Sequence, residues 1–174
     1  MTSIMFTDFK GFTKIAEEIK PEELVSELDT YFKNFDEIID KYDIEKIKTI
    51  GDAYMCVGGL PIRNKSNPID IVLAGLEIQR FMAVYNKAKT DAGEKGWDLR
   101  IGIHTGAVIA GVIGIKRLAY DIWGDTVNIA ARCEQNSTPG NISVTENFAK
   151  SISEYFDLSP RGKIEIKNKL FLLF

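Results

Sequence analysis

The chain has 174 residues, enough to bury roughly 70% of the surface that its unfolded form exposes and to build a full core. With 45% hydrophobic and 27% charged residues it is not a disordered chain, and a formal charge of −3 excludes a general grip on nucleic acid through net positive charge. No apolar run is long enough to cross a bilayer, no signal peptide opens the sequence, and Cys56 and Cys133, outside any paired motif, read as reduced thiols of a cytosolic protein.

Residues 2–8 alternate Thr2, Ile4 and Phe6 with Ser3, Met5 and Thr7, the pattern of a strand. Lys10-Gly11-Phe12-Thr13 then turns into a short helix around Ile15 and Ile19. Pro21 suits the first turn of a second helix, and Val25, Leu28, Phe32, Phe35 and Ile39 form its apolar stripe over about five turns. The β-branched run Ile44–Ile50, the Gly51-Asp52 turn and apolar Ala53–Val57 predict a hairpin with Asp52 at its tip. Leu60–Pro68 reads as a surface loop, with Asn67-Pro68 as cap and first residue of a helix that turns Ile69, Val72, Leu73 and Leu76 inward.

Leu99–His104, Ala107–Ile113 and Leu118–Ile122 read as strands. Asp125 is expected to cap a helix over 126–136, with Asn128 and Arg132 on one face at i, i+4. A short strand at Ile142–Val144, a short helix, and two strands near 155–158 and 162–167 complete the order β-α-α-β-β-α-β-β-β-α-β-α-β-β. This mixture predicts an α+β sandwich, with helices on one face of a largely antiparallel sheet.

Few of these residues declare a chemistry alone. Asp8 ends the first strand and Asp52 tips the hairpin; adjacent strand ends would let them share Mg²⁺, but spacing alone favours turn or cap aspartates, since Asp is common in turns. The Lys10–Thr13 segment offers helix-start N–H groups to a phosphate, lacks the Walker A pattern, and also reads as an ordinary turn. Arg132 suits anionic transition-state charge and Asn128 a sugar oxygen, while a solvated helix face is the more common reading of such a pair taken alone. His104, the only histidine, reads as a hydrogen-bonded strand end, which excludes mechanisms needing two histidines. Tyr54, Trp123 and the helically spaced phenylalanines read as core, and Trp97 carries no readable role.

Taken together, four blocks resemble the catalytic domain of class III nucleotidyl cyclases, the adenylyl and guanylyl cyclase family. They are Phe6–Thr13 (FTDFKGFT), Lys46–Met55 (KIKTIGDAYM), Leu99–Gly106 (LRIGIHTG) and Tyr120–Arg132 (YDIWGDTVNIAAR). Each block is moderately specific; four in this order are strongly so, and the resemblance spans nearly the whole chain.

The resemblance implies a ferredoxin-like α+β fold forming one domain over residues 1–174, and a head-to-tail homodimer with its active sites at the interface. Asp8 and Asp52 match the metal aspartates, with the Phe9 carbonyl as backbone ligand, for two Mg²⁺ or Mn²⁺ ions per site. Phe9, Gly11, Phe12 and Thr13 match the triphosphate-holding turn, and Arg100 and Lys167 match basic residues on the phosphates. Lys48 and Asp121 match the pair that reads adenine, with the Ile122 backbone against the base. Asn128 and Arg132 match the ribose-orienting and transition-state residues. The guanylyl members carry Glu in the lysine's place, so ATP is favoured over GTP. Two other readings stay open: a guanylyl or relaxed purine cyclase, and a catalytically silent nucleotide-binding domain.

Two features depart from the family pattern. The usual Lys-Gly-Lys near the C-terminus is Lys167-Asn168-Lys169, followed by an apolar end, Leu170–Phe174, that fits either a last strand or a sticky tail. The first strand begins almost at Met1, which reads as a catalytic domain taken from a longer regulated protein. The domain is then cytoplasmic, and its parent can still be membrane-attached.

Overall fold

The computed structural model describes residues 1–166 and 169–174. In chain order the elements are β1 (Thr2–Phe9), α1 (Phe12–Glu18), α2 (Pro21–Asp40), β2 (Ile44–Ile50), β3 (Ala53–Gly58), α3 (Asn67–Asp91) and β4 (Leu99–Gly106). They continue as β5 (Ile109–Ile113), β6 (Ala119–Trp123), α4 (Asp125–Gln135), β7 (Ile142–Val144), α5 (Glu146–Ile152), β8 (Gly162–Ile166) and β9 (Lys169–Leu173). The succession is the one predicted, with one shift: the last two strands lie at 162–166 and 169–173, and Tyr155–Leu158 is turn and coil. The apolar end is therefore strand β9, and Leu173 is buried.

Five strands form one sheet in the order β2-β3-β1-β4-β7. Only the β4–β7 pair is parallel. The segment β1-α2-β2-β3-α3-β4, with β1 between β3 and β4, is the ferredoxin-like arrangement that the family resemblance implies. β5–β6 and β8–β9 are separate two-stranded ribbons.

Both faces of the sheet are covered. Met5, Phe9, Cys56, Ile101 and Ile103 pack with Tyr31, Phe35, Ile71 and Ile78 of α2 and α3 in the larger core. Ile4, Phe6, Met55 and Val57 point the other way and pack with Ile122 of β6 and Ala130 of α4. Helices on one face only was thus the wrong expectation, because successive residues of β1 and β3 are apolar on both sides. What lets α4 lie so close is Gly102 of β4: a Cβ there would sit 2.0 Å from the Glu134 amide nitrogen.

Some packing expectations need correction. Val25, Leu73 and Leu76 are exposed, whereas Ile71, Ala74, Gly75, Ile78 and Met82 form the buried side of α3. α3 carries apolar residues around much of its circumference, so spacing alone does not select its inner edge. Gly124, not Asp125, is the N-cap of α4, and Ser66, not Asn67, that of α3. Trp123 is exposed on the β5–β6 ribbon, while Trp97 is core: its ring centroid lies 5.2 Å from those of Phe9 and Tyr31.

Candidate active site

The β1–β3 pairing brings the β2–β3 tip against the end of β1. Asp8 is the penultimate residue of β1, on the face that α4 covers, while Phe9 turns its ring into the aromatic core with Tyr31, Phe35 and Trp97. That buried ring fixes the backbone from which Asp8 projects. Asp52 reaches back from the tip: its Oδ2 accepts the Phe9 N–H at 3.3 Å, and its carboxyl lies within hydrogen-bond reach of Asp8. Burial first, then the Asp8 carboxylate, pushes the Asp52 carboxyl up to about 6.

Arg100 pairs with Asp8 across β1 and β4, and its Nη2 donates to Asp8 Oδ2 at 2.5 Å. Glu134, at the end of α4, completes the group. Its Oε1 lies 3.0 Å from Arg100 Nε and off the N–H axis, so the contact is Coulombic rather than a directed hydrogen bond. The Glu134 side chain is only 6% exposed. Burial raises its carboxyl to about 7 against the lowering effect of Arg100, with Asp8 and Asp52 pushing the same way as burial.

Two carboxylates, Asp8 and Glu134, pair with the one guanidinium, and Asp52 lies beside Asp8. Two neighbouring carboxylates, one of them held well above its usual range, are a donor set suited to a hard divalent cation. Asp8 and Asp52 fit such an ion. Among the described residues no group of three or more candidate ligands adds to them.

The segment after Asp8 is open to solvent. Gly11 takes the left-handed conformation (φ 74°) and precedes α1, whose start no side chain caps. Gly11 and Thr13 are exposed, while Phe12 stacks edge-on to Trp97. Lys10 N–H donates to the Asp98 carbonyl, tying this turn to the start of β4.

A second group lies on β2 and β6. Lys48 Nζ donates to Asp121 Oδ2 at 2.6 Å, and Asp121 Oδ1 accepts the Ile122 N–H at 2.8 Å. The Ile122 side chain is buried beneath. Asn128 and Arg132 sit on the exposed side of α4, where Arg132 Nη1 donates to Gln135 Oε1 at 2.8 Å. Among the described residues, no hydrogen bond or ion pair joins Lys48, Asp121, Asn128 or Arg132 to the Asp8–Asp52–Arg100 group. Lys167 lies outside the described residues. His104 accepts or donates at Nδ1 with Thr145 Oγ1 (2.6 Å), and burial pushes its imidazole down to about 4, so it is a structural residue as expected.

Glu134 is the residue that the sequence did not single out. A faint mark was present: it continues the apolar stripe of Val127 and Ala130 at i+7 and i+4, and a carboxylate on a buried stripe requires a partner.

A ferredoxin-like sheet that carries an aspartate pair beside an arginine, with a lysine–aspartate pair on the same chain, defines a class of nucleotide-handling domain. Comparison with known proteins agrees. The model of the adenylate and guanylate cyclase catalytic domain family matches residues 1–173, and the chain belongs to that family. It is 37% identical to an adenylate cyclase of Mycobacterium bovis, covering 96% of this chain and 37% of the relative. It is 38% identical to guanylate cyclase 2G of Rattus norvegicus, covering 96% of this chain and 15% of the relative. The chain thus spans well under half of either relative. Its fold superposes on the adenylyl cyclase CyaB of P. aeruginosa with a TM-score of 0.93 at 28% identity, covering 99% of this chain and 91% of that one. Among the described residues no helix is long and apolar enough to cross a membrane.

Proposed function

We propose that the chain is an adenylyl cyclase that converts ATP to 3′,5′-cyclic AMP and pyrophosphate, in two equivalent sites shared across a head-to-tail homodimer. The observation that carries the choice of ATP is the Lys48–Asp121 pair, held at 2.6 Å with the second Asp121 oxygen on the Ile122 N–H. Lysine only donates, which suits N1 of adenine; a carboxylate only accepts, which suits the N6 amine. Guanine presents the opposite polarity at both positions, so GTP would leave both groups misplaced.

The chemistry asks for positioning and charge. The ribose 3′-oxygen attacks the α-phosphorus, the bond from that phosphorus to the bridging oxygen of the β-phosphate breaks, and pyrophosphate leaves with its electron pair. The hydroxyl proton passes to solvent. Asp8 and Asp52, with the Phe9 carbonyl, would hold Mg²⁺ or Mn²⁺, two ions per site. When bound, such ions lower the hydroxyl's pKa and offset charge on the triphosphate. Arg100 and the Phe9–Thr13 turn bind the β- and γ-phosphates, Lys167 adds a further charge there, Asn128 orients the ribose and Arg132 meets the transition-state charge.

Sharing between two copies is supported by what a single chain leaves apart. Asn128 and Arg132 are exposed on α4, and among the described residues no hydrogen bond or ion pair joins them to Asp8 or Asp52. The β5–β6 ribbon and the turn joining its strands expose Ile109 (72%), Val112 (60%) and Leu118 (75%), an apolar surface suited to a second copy.

Cyclic nucleotide formation with Mn²⁺, measured with ATP and GTP in parallel, tests the reading. Cyclic AMP from ATP, at least tenfold faster than cyclic GMP from GTP, is expected. Equal rates, or a preference for GTP, would contradict the assignment of Lys48 and Asp121.

A further inference from the structure

The role proposed above for Arg100 leaves Glu134 unexplained. Glu134 is buried where helix α4 meets the end of β4, over the glycine at 102 that lets the two backbones approach. Among the described residues its carboxylate has one close cationic neighbour, Arg100 Nε at 3.0 Å. Three groups surround the guanidinium: the Glu134 carboxylate pairs with Nε at 3.0 Å, Asp8 accepts from Nη2 at 2.5 Å, and the Gln135 carbonyl accepts from Nη1 at 3.4 Å. Two of those three contacts come from the last turn of α4. The third comes from an aspartate that a divalent ion would claim.

We infer that Glu134 is a positioning residue for phosphate binding: it anchors the Nε side of Arg100, so that Nη2 passes from Asp8 to a substrate phosphate oxygen when Asp8 takes up a divalent ion. The inference rests on the phosphate role of Arg100. Arginine reaches its target through several rotatable bonds, and a guanidinium tethered at Nε presents its outer edge without searching. Without the tether, the fork is free to settle in bidentate fashion on Asp8, which removes it from the phosphates and sets it in competition with the metal. The effect should follow the phosphate chain and spare the purine.

Calorimetric binding of Mn²⁺-pyrophosphate and of adenosine, on the full chain, separates these possibilities. Glu134→Gln keeps the shape of the side chain and removes its charge. It is expected to weaken pyrophosphate binding about tenfold, within the range seen when a partner of a metal-site residue is lost, and to leave adenosine binding unchanged. In an Arg100→Ala background the same substitution should then cost nothing further, because the group it positions is gone. Equal losses for pyrophosphate and adenosine, no loss for pyrophosphate, or a full loss persisting without Arg100 would each overturn the inference. Should Glu134→Gln fail to fold, Glu134→Asp, which keeps the charge but withdraws it from Nε, is held to the same comparisons. Wild-type protein that binds adenosine but not Mn²⁺-pyrophosphate would instead contradict the phosphate role of Arg100, and the inference would fall with it.

Discussion

Burial and a neighbouring carboxylate act in the same direction on Asp52 and raise it to about 6. A divalent cation must displace that proton. Mn²⁺ affinity is therefore expected to rise about tenfold per pH unit below 6 and to level off above it, with proton release visible as a buffer-dependent binding enthalpy. The same shift has a consequence for stability. A carboxyl raised above its unfolded value binds its extra proton in the folded state, so its contribution is present below about pH 4 and is lost as pH rises through about 6. Asp52→Asn is thus expected to stabilise the protein without added metal at pH 7.5 by about 1 kcal/mol, a value discounted for partial exposure, as read from thermal unfolding. Destabilisation by that substitution would contradict the strained pair. At the base-reading pair, Lys48→Glu reverses a donor and sets two carboxylates together. It should lower cyclic AMP formation by on the order of 10²-fold or more, with a smaller effect on stability.

At the scale of elements, helix α4 on the proposed reading serves both sites of the dimer, with Asn128 and Arg132 for one and Glu134 for the other. Its seat depends on absent side chains. A Cβ at residue 102 would lie 2.4 Å from the Glu134 Cα, against backbone that has no freedom to yield. Gly102→Ala is expected to destabilise the fold by about 3 kcal/mol or more, or to push α4 outward with loss of activity, as circular dichroism melts and turnover would show. A melt unchanged from wild type would mean that the helix does not sit there. This packing also explains what could not be read beforehand. Most elements were legible, because strand alternation, the proline at the start of α2 and the Gly51-Asp52 turn are local; the C-terminal strand pair was not, since it lies one step later than the strands expected near 155–158 and 162–167. The seat of α4 was not, since the glycine at 102 presents no apolar side chain to read. Glu134 drew no notice for the same reason: its place on the Val127–Ala130 stripe hints at burial, but the burial itself comes from the β4–α4 contact. Asp8 and Asp52, 44 positions apart, were linked by family pattern; spacing alone left them as turn residues until the β1–β3 pairing set them side by side.

For the whole molecule, the division of residues is the feature that matters. Asp8, Asp52 and Arg100 form one group, and Lys48, Asp121, Asn128 and Arg132 lie apart from it, yet both sets are complete in one chain. On the proposed reading, a homodimer built from such a chain would hold two sites, and a monomer none. Specific activity should therefore rise with protein concentration through the dimerisation range. Val112→Asp on the exposed ribbon should move that range upward about tenfold or more by placing charge in the apolar contact.

The most direct measurement mixes two inactive variants. Asp52→Ala and Arg132→Ala, each alone, are expected to lose on the order of 10³-fold in turnover. In a mixed dimer one site carries both defects and the other carries neither. Equal mixing should restore about a quarter of wild-type activity, since about half of the dimers are mixed and each has one intact site. Mixed dimers that demonstrably form but produce no cyclic AMP would contradict the shared site.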